Sequence, residues 1–192
     1  MPIVTIDDDA QYPPTLLESL WSTHKEFPHS VVATYCKLVP GHPAFYSIPY
    51  LFWPLVAKRH VTSQDFFLPI GAEGVLYPSD SFISSYFDEL TLRKLSYSTD
   101  DLWNWMHLNI ARTPITVLPL RKRARRVFGS SESGLWAMNR KNHNSRNFNT
   151  MVKHYKLSKR LNLLEYLGML IWFWVASLPV LFMNFMEPEV DR

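Results

Sequence analysis

The opening residues, Ile3-Val4-Thr5-Ile6-Asp7-Asp8-Asp9, constrain the fold more than any other stretch. A β-rich apolar run that stops at three consecutive carboxylates reads as a buried strand delivering acids to its C-terminal end. That is the usual place for ligand sites in open α/β sheets. If extension continues through the acids, side-chain alternation puts Asp7 and Asp9 on one side and Asp8 on the other. Two carboxylates on one side suit a hard divalent cation that bridges phosphate oxygens. The alternative is a solvated acidic turn ahead of a helix.

The residues that follow continue in α/β order. Tyr12-Pro13-Pro14 reads as the first turn of a helix, with Leu16, Leu17, Leu20 and Trp21 as its apolar stripe. The helix ends by Pro28, and Ser30 to Tyr35 reads as the next strand. Strand, acids, helix and strand in that order predict an α/β domain with a mixed sheet and flanking helices. Further on, Phe66 to Ile70 is expected as a strand that feeds a Gly71/Gly74 turn, with Val75 to Tyr77 as the strand leaving it. Glycines three apart let backbone approach a ligand closely, and no Lys-Ser/Thr follows to make them a P-loop.

Ser79-Asp80 is expected to cap a helix through Phe82, Ile83, Tyr86 and Phe87. Thr99 is expected to cap another, with Asp100 and Asp101 in its positive first turn. Capping accounts for one of these acids, and the second can point into a cleft as a base. Ile115 to Leu120 is expected as a strand and Asn147 to His154 as a short helix. The aromatic, proline-rich stretch from Pro40 to Pro54 is either a loop over a site or irregular chain covering a core.

Charge divides the chain. Residues 112–160 hold 13 Lys/Arg against the single acid Glu132, a balance of +12, while the remainder carries −9. The single cysteine, Cys36, excludes an internal disulfide framework and suits a reducing compartment. Tyr166 to Met186 is 21 residues without a charge. As a helix it spans about 31 Å at roughly 1.5 Å per residue, enough for a bilayer core. Trp172 and Trp174 inside the run, and Pro179, leave open a helix packed on the domain or lying in the interface. The expected organisation is therefore a domain over 1–120, a basic polar segment over 121–160, a hydrophobic helix over 161–186 and an acidic tail over 187–192. Arg121 to Arg126 lacks interleaved aromatics, which disfavours nucleic acid. Anionic lipid, at ~1 kcal/mol per basic residue near a membrane, suits it better.

Three motifs together resemble a family. Ile6-Asp7-Asp8-Asp9-x-x-Tyr12-Pro13, Leu68-Pro69-Ile70-Gly71-x-x-Gly74-Val75-Leu76-Tyr77-Pro78 and Thr99-Asp100-Asp101-Leu102-Trp103 look like bacterial GT-A-type glycosyltransferases of surface-polysaccharide synthesis. The resemblance covers roughly residues 3 to 155, and its middle motif is the most specific. It implies a partial GT-A-like (Rossmann-like) fold, a nucleotide-sugar donor, a glycan or glycolipid acceptor, and manganese or magnesium. By the same resemblance, Asp7 and Asp9 match the outer acids of the metal-holding DxD motif, with Asp8 between them. Gly71 and Gly74 match a loop lining the sugar and acceptor cleft. Asp101, with Asp100 beside it, matches the acid that closes that cleft and, in inverting members, deprotonates the acceptor hydroxyl; the sequence leaves retention or inversion open. His143 matches a late metal ligand, although without fixed ligand spacing it also reads as a surface histidine.

Two departures qualify the resemblance. GT-A enzymes place βαβ units that bind the nucleotide base and ribose before the DxD strand, which here opens at residue 3. The expectation is an upstream part, a separate chain supplying that half, or a catalytically inactive membrane-anchored remnant or interaction module. In each case the sheet has an exposed edge where the missing half belongs. The glycine turn also reads Gly71-Ala72-Glu73-Gly74, which places a charge inside the loop.

Overall fold

The computed structural model describes residues 1–56, 60–62, 66–118, 124–127 and 143–157, together with residues 164, 167, 168 and 171. Ten strands are described: β1 (Ile3–Thr5), β2 (Ala10–Gln11), β3 (Val31–Ala33), β4 (Cys36–Leu38), β5 (Leu55–Val56), β6 (His60–Thr62), β7 (Phe67–Pro69), β8 (Val75–Tyr77), β9 (Ile115–Val117) and β10 (Arg125–Arg126). The helices are α1 (Leu16–Glu26), α2 (Glu89–Ser96), α3 (Asp100–Ala111) and α4 (His143–His154).

The main sheet has the order β1-β8-β3-β9-β6. Only β3 and β9 run parallel; the other three pairings are antiparallel, so the sheet is mixed as expected. A second, antiparallel sheet has the order β5-β4-β7, and β2 pairs with β10. Alternation along β3 explains why Val31, Val32 and Ala33 are all apolar. Val32 joins Leu16 and Leu20 of α1 and Leu76 of β8 on one face. Val31 and Ala33 face the other way, packing with Ile115, Val117 and Leu108 of α3 and with Cys36, Leu38 and Phe67 of the second sheet. A third cluster ties Trp103, Trp105 and Met106 of α3 to Phe148 and Met151 of α4 and to Trp53.

Several expectations change at this level. β1 is an edge strand rather than a buried one, with Ile3 64% and Ile6 55% exposed. Extended backbone ends at Thr5 and residues 8 and 9 form a turn, so strand alternation does not arrange the acids. Helix α1 begins at Leu16, because Pro13 and Pro14 lie in the preceding turn and Leu16 N–H donates to the Pro13 carbonyl at 3.0 Å. No α-helix follows Ser79-Asp80. Ser81 folds back through its backbone and hydroxyl onto the Pro78 carbonyl, and Phe82 stacks on Tyr86 at 3.9 Å. A 3-10 turn at Ser84–Phe87 then leads to α2, whose true cap is Asp88, accepting from Thr91 N–H at 3.1 Å. Thr99 occupies the N-cap position of α3, but its hydroxyl is engaged by Ser96 Oγ and Asn147 instead of capping.

The aromatic stretch forms two 3-10 turns, Pro43–Phe45 and Tyr50–Phe52. Trp53 is buried against Phe148, as a core-covering segment requires. Among the described residues no helix is long and apolar enough to cross a membrane. The uncharged run 166–186 lies outside them apart from residues 167, 168 and 171, which are helical.

Candidate active site

Three segments distant in sequence meet beside the C-terminal end of β1. Tyr12 joins two of them: its hydroxyl accepts from Asp7 N–H at 2.7 Å and donates to the Ala72 carbonyl at 3.0 Å. The glycine turn is a 3-10 turn at Gly71–Glu73 closed by Gly74, whose φ of 97° disfavours any side chain. Thr34, the residue just after β3, holds this turn by donating its hydroxyl to the Glu73 carbonyl at 2.6 Å. The third segment is the start of α3, where Asp101 Oδ1 accepts from Gly71 N–H at 2.9 Å. A Cβ on Gly71 would lie 2.9 Å from that same oxygen, so glycine is what admits the carboxylate.

Asp100 and Asp101 are set apart by environment. Asp100 is exposed on the rim, while Asp101 keeps only partial contact with solvent. Burial is the main force pushing the Asp101 carboxyl up to about 7; the charges of Asp100 and Asp7 add to it, and the Gly71 N–H opposes it. Its surroundings are weakly polar. Burial, and then the Asp101 charge, raise the pKa of Tyr50, Tyr77 and the Cys36 thiol. Tyr86 donates to Asn104 Oδ1 at 2.9 Å, and Asn104 Nδ2 donates to the Tyr77 hydroxyl at 3.4 Å. Lys37 Nζ donates to the Tyr50 carbonyl at 2.9 Å and lies 4.3 Å from the Tyr50 ring centre. Burial lowers the Lys37 ammonium to about 8.

The acid turn presents Asp7 and Asp9 partly buried and Asp8 exposed. Among the described residues no group of three or more His, Cys, Asp or Glu is arranged to hold a metal, and His143 lies exposed at the start of α4. Two carboxylates remain a suitable donor set for magnesium or manganese, which commonly take one or two protein carboxylates and complete their shell with phosphate oxygens and water.

The sequence-predicted residues Asp7, Gly71, Gly74 and Asp101 are thus brought to one place, with Asp9 in the adjoining turn. Sequence reasoning missed Tyr12, taken as a helix start, and Glu73, taken as a misfit. It also missed β10, whose Arg125 and Arg126 pair with Gln11 and Ala10 just after the acid turn. The composition of Arg121 to Arg126 gave no sign of that pairing, and residues 121–123 lie outside the described residues.

No protein-family model, curated protein or solved structure matches this chain. The functional reading therefore rests on the chemistry of the site. A carboxylate poised near neutral pH, next to a glycine turn and a pair of further acids, is suited to removing a proton from a hydroxyl close to an anionic ligand.

Proposed function

We propose that this chain is a metal-dependent glycosyltransferase, or the C-terminal portion of one, of partial GT-A type, moving a sugar from a nucleotide-sugar donor to a glycan or glycolipid acceptor. The observation that carries the reading is Asp101, held at Gly71 with its carboxyl raised to about 7 and in electrostatic reach of Asp7. In this reading Asp101 accepts the acceptor hydroxyl's proton as the oxygen attacks the anomeric carbon, and the bond to the nucleoside diphosphate breaks. Asp7 and Asp9 would hold a divalent cation, which when bound supplies positive charge to the leaving diphosphate. Tyr12 fixes the acid turn to the glycine turn, so donor and acceptor sites share one frame.

The exposed β1 edge, with outward-facing Ile3 and Ile6, is where a separate nucleotide-binding half would pair. The 166–186 run would tether the chain to lipid as a single pass, with the domain on the cytoplasmic side, where nucleotide sugars are available.

The test is metal coupling in the full chain. Manganese should bind weakly alone and more tightly with uridine diphosphate present, and Asp9→Asn should abolish the coupling while the unfolding midpoint stays unchanged. Identical nucleotide affinity with and without manganese would remove the metal-dependent reading.

A further inference from the structure

Helix α2 turns its inner face to the core through Leu95 and Ser96, which are buried, and Leu92, which is half-buried. Its outer face is apolar at the centre. Leu90 and Tyr97, seven residues and so two turns apart, lie on one side and are 82% and 75% exposed. Arg93 and Lys94 are exposed on the turn between them, with Arg93 paired to Glu89 at 2.6 Å and 6.0 Å from the Tyr97 ring centre. Phe87, also exposed, stands just ahead of the helix. Large apolar groups flanked by cations on long stems are the pattern of a helix that lies in a membrane interface.

The neighbourhood of α2 carries the same charge. Leu92 and Leu95 share a cluster with Phe148, Met151 and Val152 of α4, so the two helices form one layer. The outer side of α4 exposes Arg146 and Lys153 and holds no acid. Residues 87–97 and 143–157 together contain five Lys/Arg against Asp88 and Glu89, a balance of +3. Tyr166, where the uncharged run opens, is nine residues beyond Leu157. At full extension that chain reaches about 32 Å, so a bilayer entered by the run lies within that distance of the layer. A second copy of the chain covers the stripe less well. Three large side chains offer roughly 600 Å² at most, below the ~800 Å² per partner of a standard protein interface.

We infer that the outer face of α2 is a membrane seat: Leu90 and Tyr97 enter the headgroup region of an anionic bilayer, while Arg93 and Lys94 meet its phosphates and carboxylates. The inference rests on the proposed tether for the nearness of the bilayer, and adds which face of the folded domain meets it. Tyr97 stands three residues before Asp100, so the seat borders the rim of the candidate site.

The experiment reconstitutes the full chain into phosphatidylcholine vesicles with and without phosphatidylserine and reads contact with lipid at chosen positions. Leu90→Cys carries an environment-sensitive fluorophore. Cys36 stays unlabelled, because it is buried and burial pushes its thiol up. In phosphatidylserine vesicles the label should shift to the blue and be quenched by nitroxide-bearing lipid. High salt, or Lys94→Glu in the same chain, should lower that quenching by about half or more. Tyr97→Cys should report the same contact if Leu90→Cys lowers the unfolding midpoint. A label on Leu17→Cys, exposed on α1 across the main sheet, should stay unquenched. If the chain stays with the vesicles through alkaline carbonate and the Leu90 label remains silent, the seat is overturned and the tether stands. Equal quenching at Leu17 and Leu90 would also overturn the seat, as would quenching indifferent to phosphatidylserine and salt. A blue shift without vesicles, together with a doubled mass in solution, would assign the face to a second copy instead. A chain that associates with neither kind of vesicle removes seat and tether together.

Discussion

Asp101, largely shielded from solvent, and His107, fully buried, are titrating groups that pull stability in opposite directions. Asp101 titrates near 7 in the fold against an ordinary 3.8, so between about 4 and 7 the folded chain holds the extra proton. Its contribution is present at low pH and is lost as pH rises through that window. His107, wholly buried between Ser85 and Tyr155, is pushed down to about 4 from 6.5, mainly by burial. There the unfolded chain holds the extra proton, and stability is lost as pH falls through that window. The two slopes oppose each other in the wild type. Asp101→Asn keeps an oxygen to accept from Gly71 and removes the ionisation cost. Urea unfolding should show the variant more stable than wild type at pH 8 by on the order of 1–3 kcal/mol. From pH 4 to 6.5 its stability should rise with the His107 slope alone. The same variant should lose turnover by orders of magnitude with donor affinity little changed, a site that gives up stability for chemistry. Asp100→Asn, on the exposed rim, should cost only a few tenths of a kcal/mol through the helix dipole and leave turnover nearly intact. Equal, small effects on turnover from both substitutions would reduce the pair to helix capping.

At the scale of elements, the glycine turn depends on Gly74 more than on any contact it makes. A Cβ there would sit at a φ of 97° and meet the buried Leu16 side chain at 3.0 Å. Gly74→Ala should therefore destabilise the fold by about 1–3 kcal/mol from backbone strain, with crowding of α1 in addition. Thermal unfolding measures this directly, and a midpoint equal to wild type would mean the turn re-forms with another geometry. Gly71→Ala should leave the midpoint closer to wild type while displacing Asp101, so turnover falls more than stability. These two glycines were legible in the sequence because their spacing between apolar runs is local. β3, β7, β8, β9, α3 and most of α4 were legible for the same reason, since periodicity and caps lie within each segment. The edge position of β1 was not, because pairing with β8 joins residues seventy apart. Nor was the start of α1, where Tyr12 is drawn out of a plausible first helical turn by Asp7 and Ala72. Thr99 and Asp80 misled for a related reason. The Thr99 hydroxyl, which can cap locally, is taken instead by a tertiary partner, Asn147, and the Asp80 carboxylate lies on the exposed surface 3.7 Å from the His29 ring.

For the whole molecule, the proposed membrane tether rests on Leu164, Leu167 and Ile171 and on charge. Leu164, Leu167 and Ile171 are helical, recur at one-face spacing and are exposed, at 80%, 36% and 64%. An aliphatic stripe left outside the core needs a covering, and lipid is the covering that the following uncharged residues suit. Lys153, Lys156, Lys159 and Arg160 precede the run, and Glu187, Glu189 and Asp191 follow it. If the run spans a bilayer, the positive-inside rule would put the folded domain on the cytoplasmic side. The full chain should sediment with membranes and resist extraction by high salt and by alkaline carbonate. A version ending at Lys159 should lose that resistance and keep at most salt-sensitive binding through its basic residues. If the full chain instead stays soluble and monodisperse without detergent, the stripe packs on the domain or on a second copy. The tether would then be wrong, while the contacts that join Asp7 to Tyr12 and Gly71 to Asp101, made within residues 7–101, would stand.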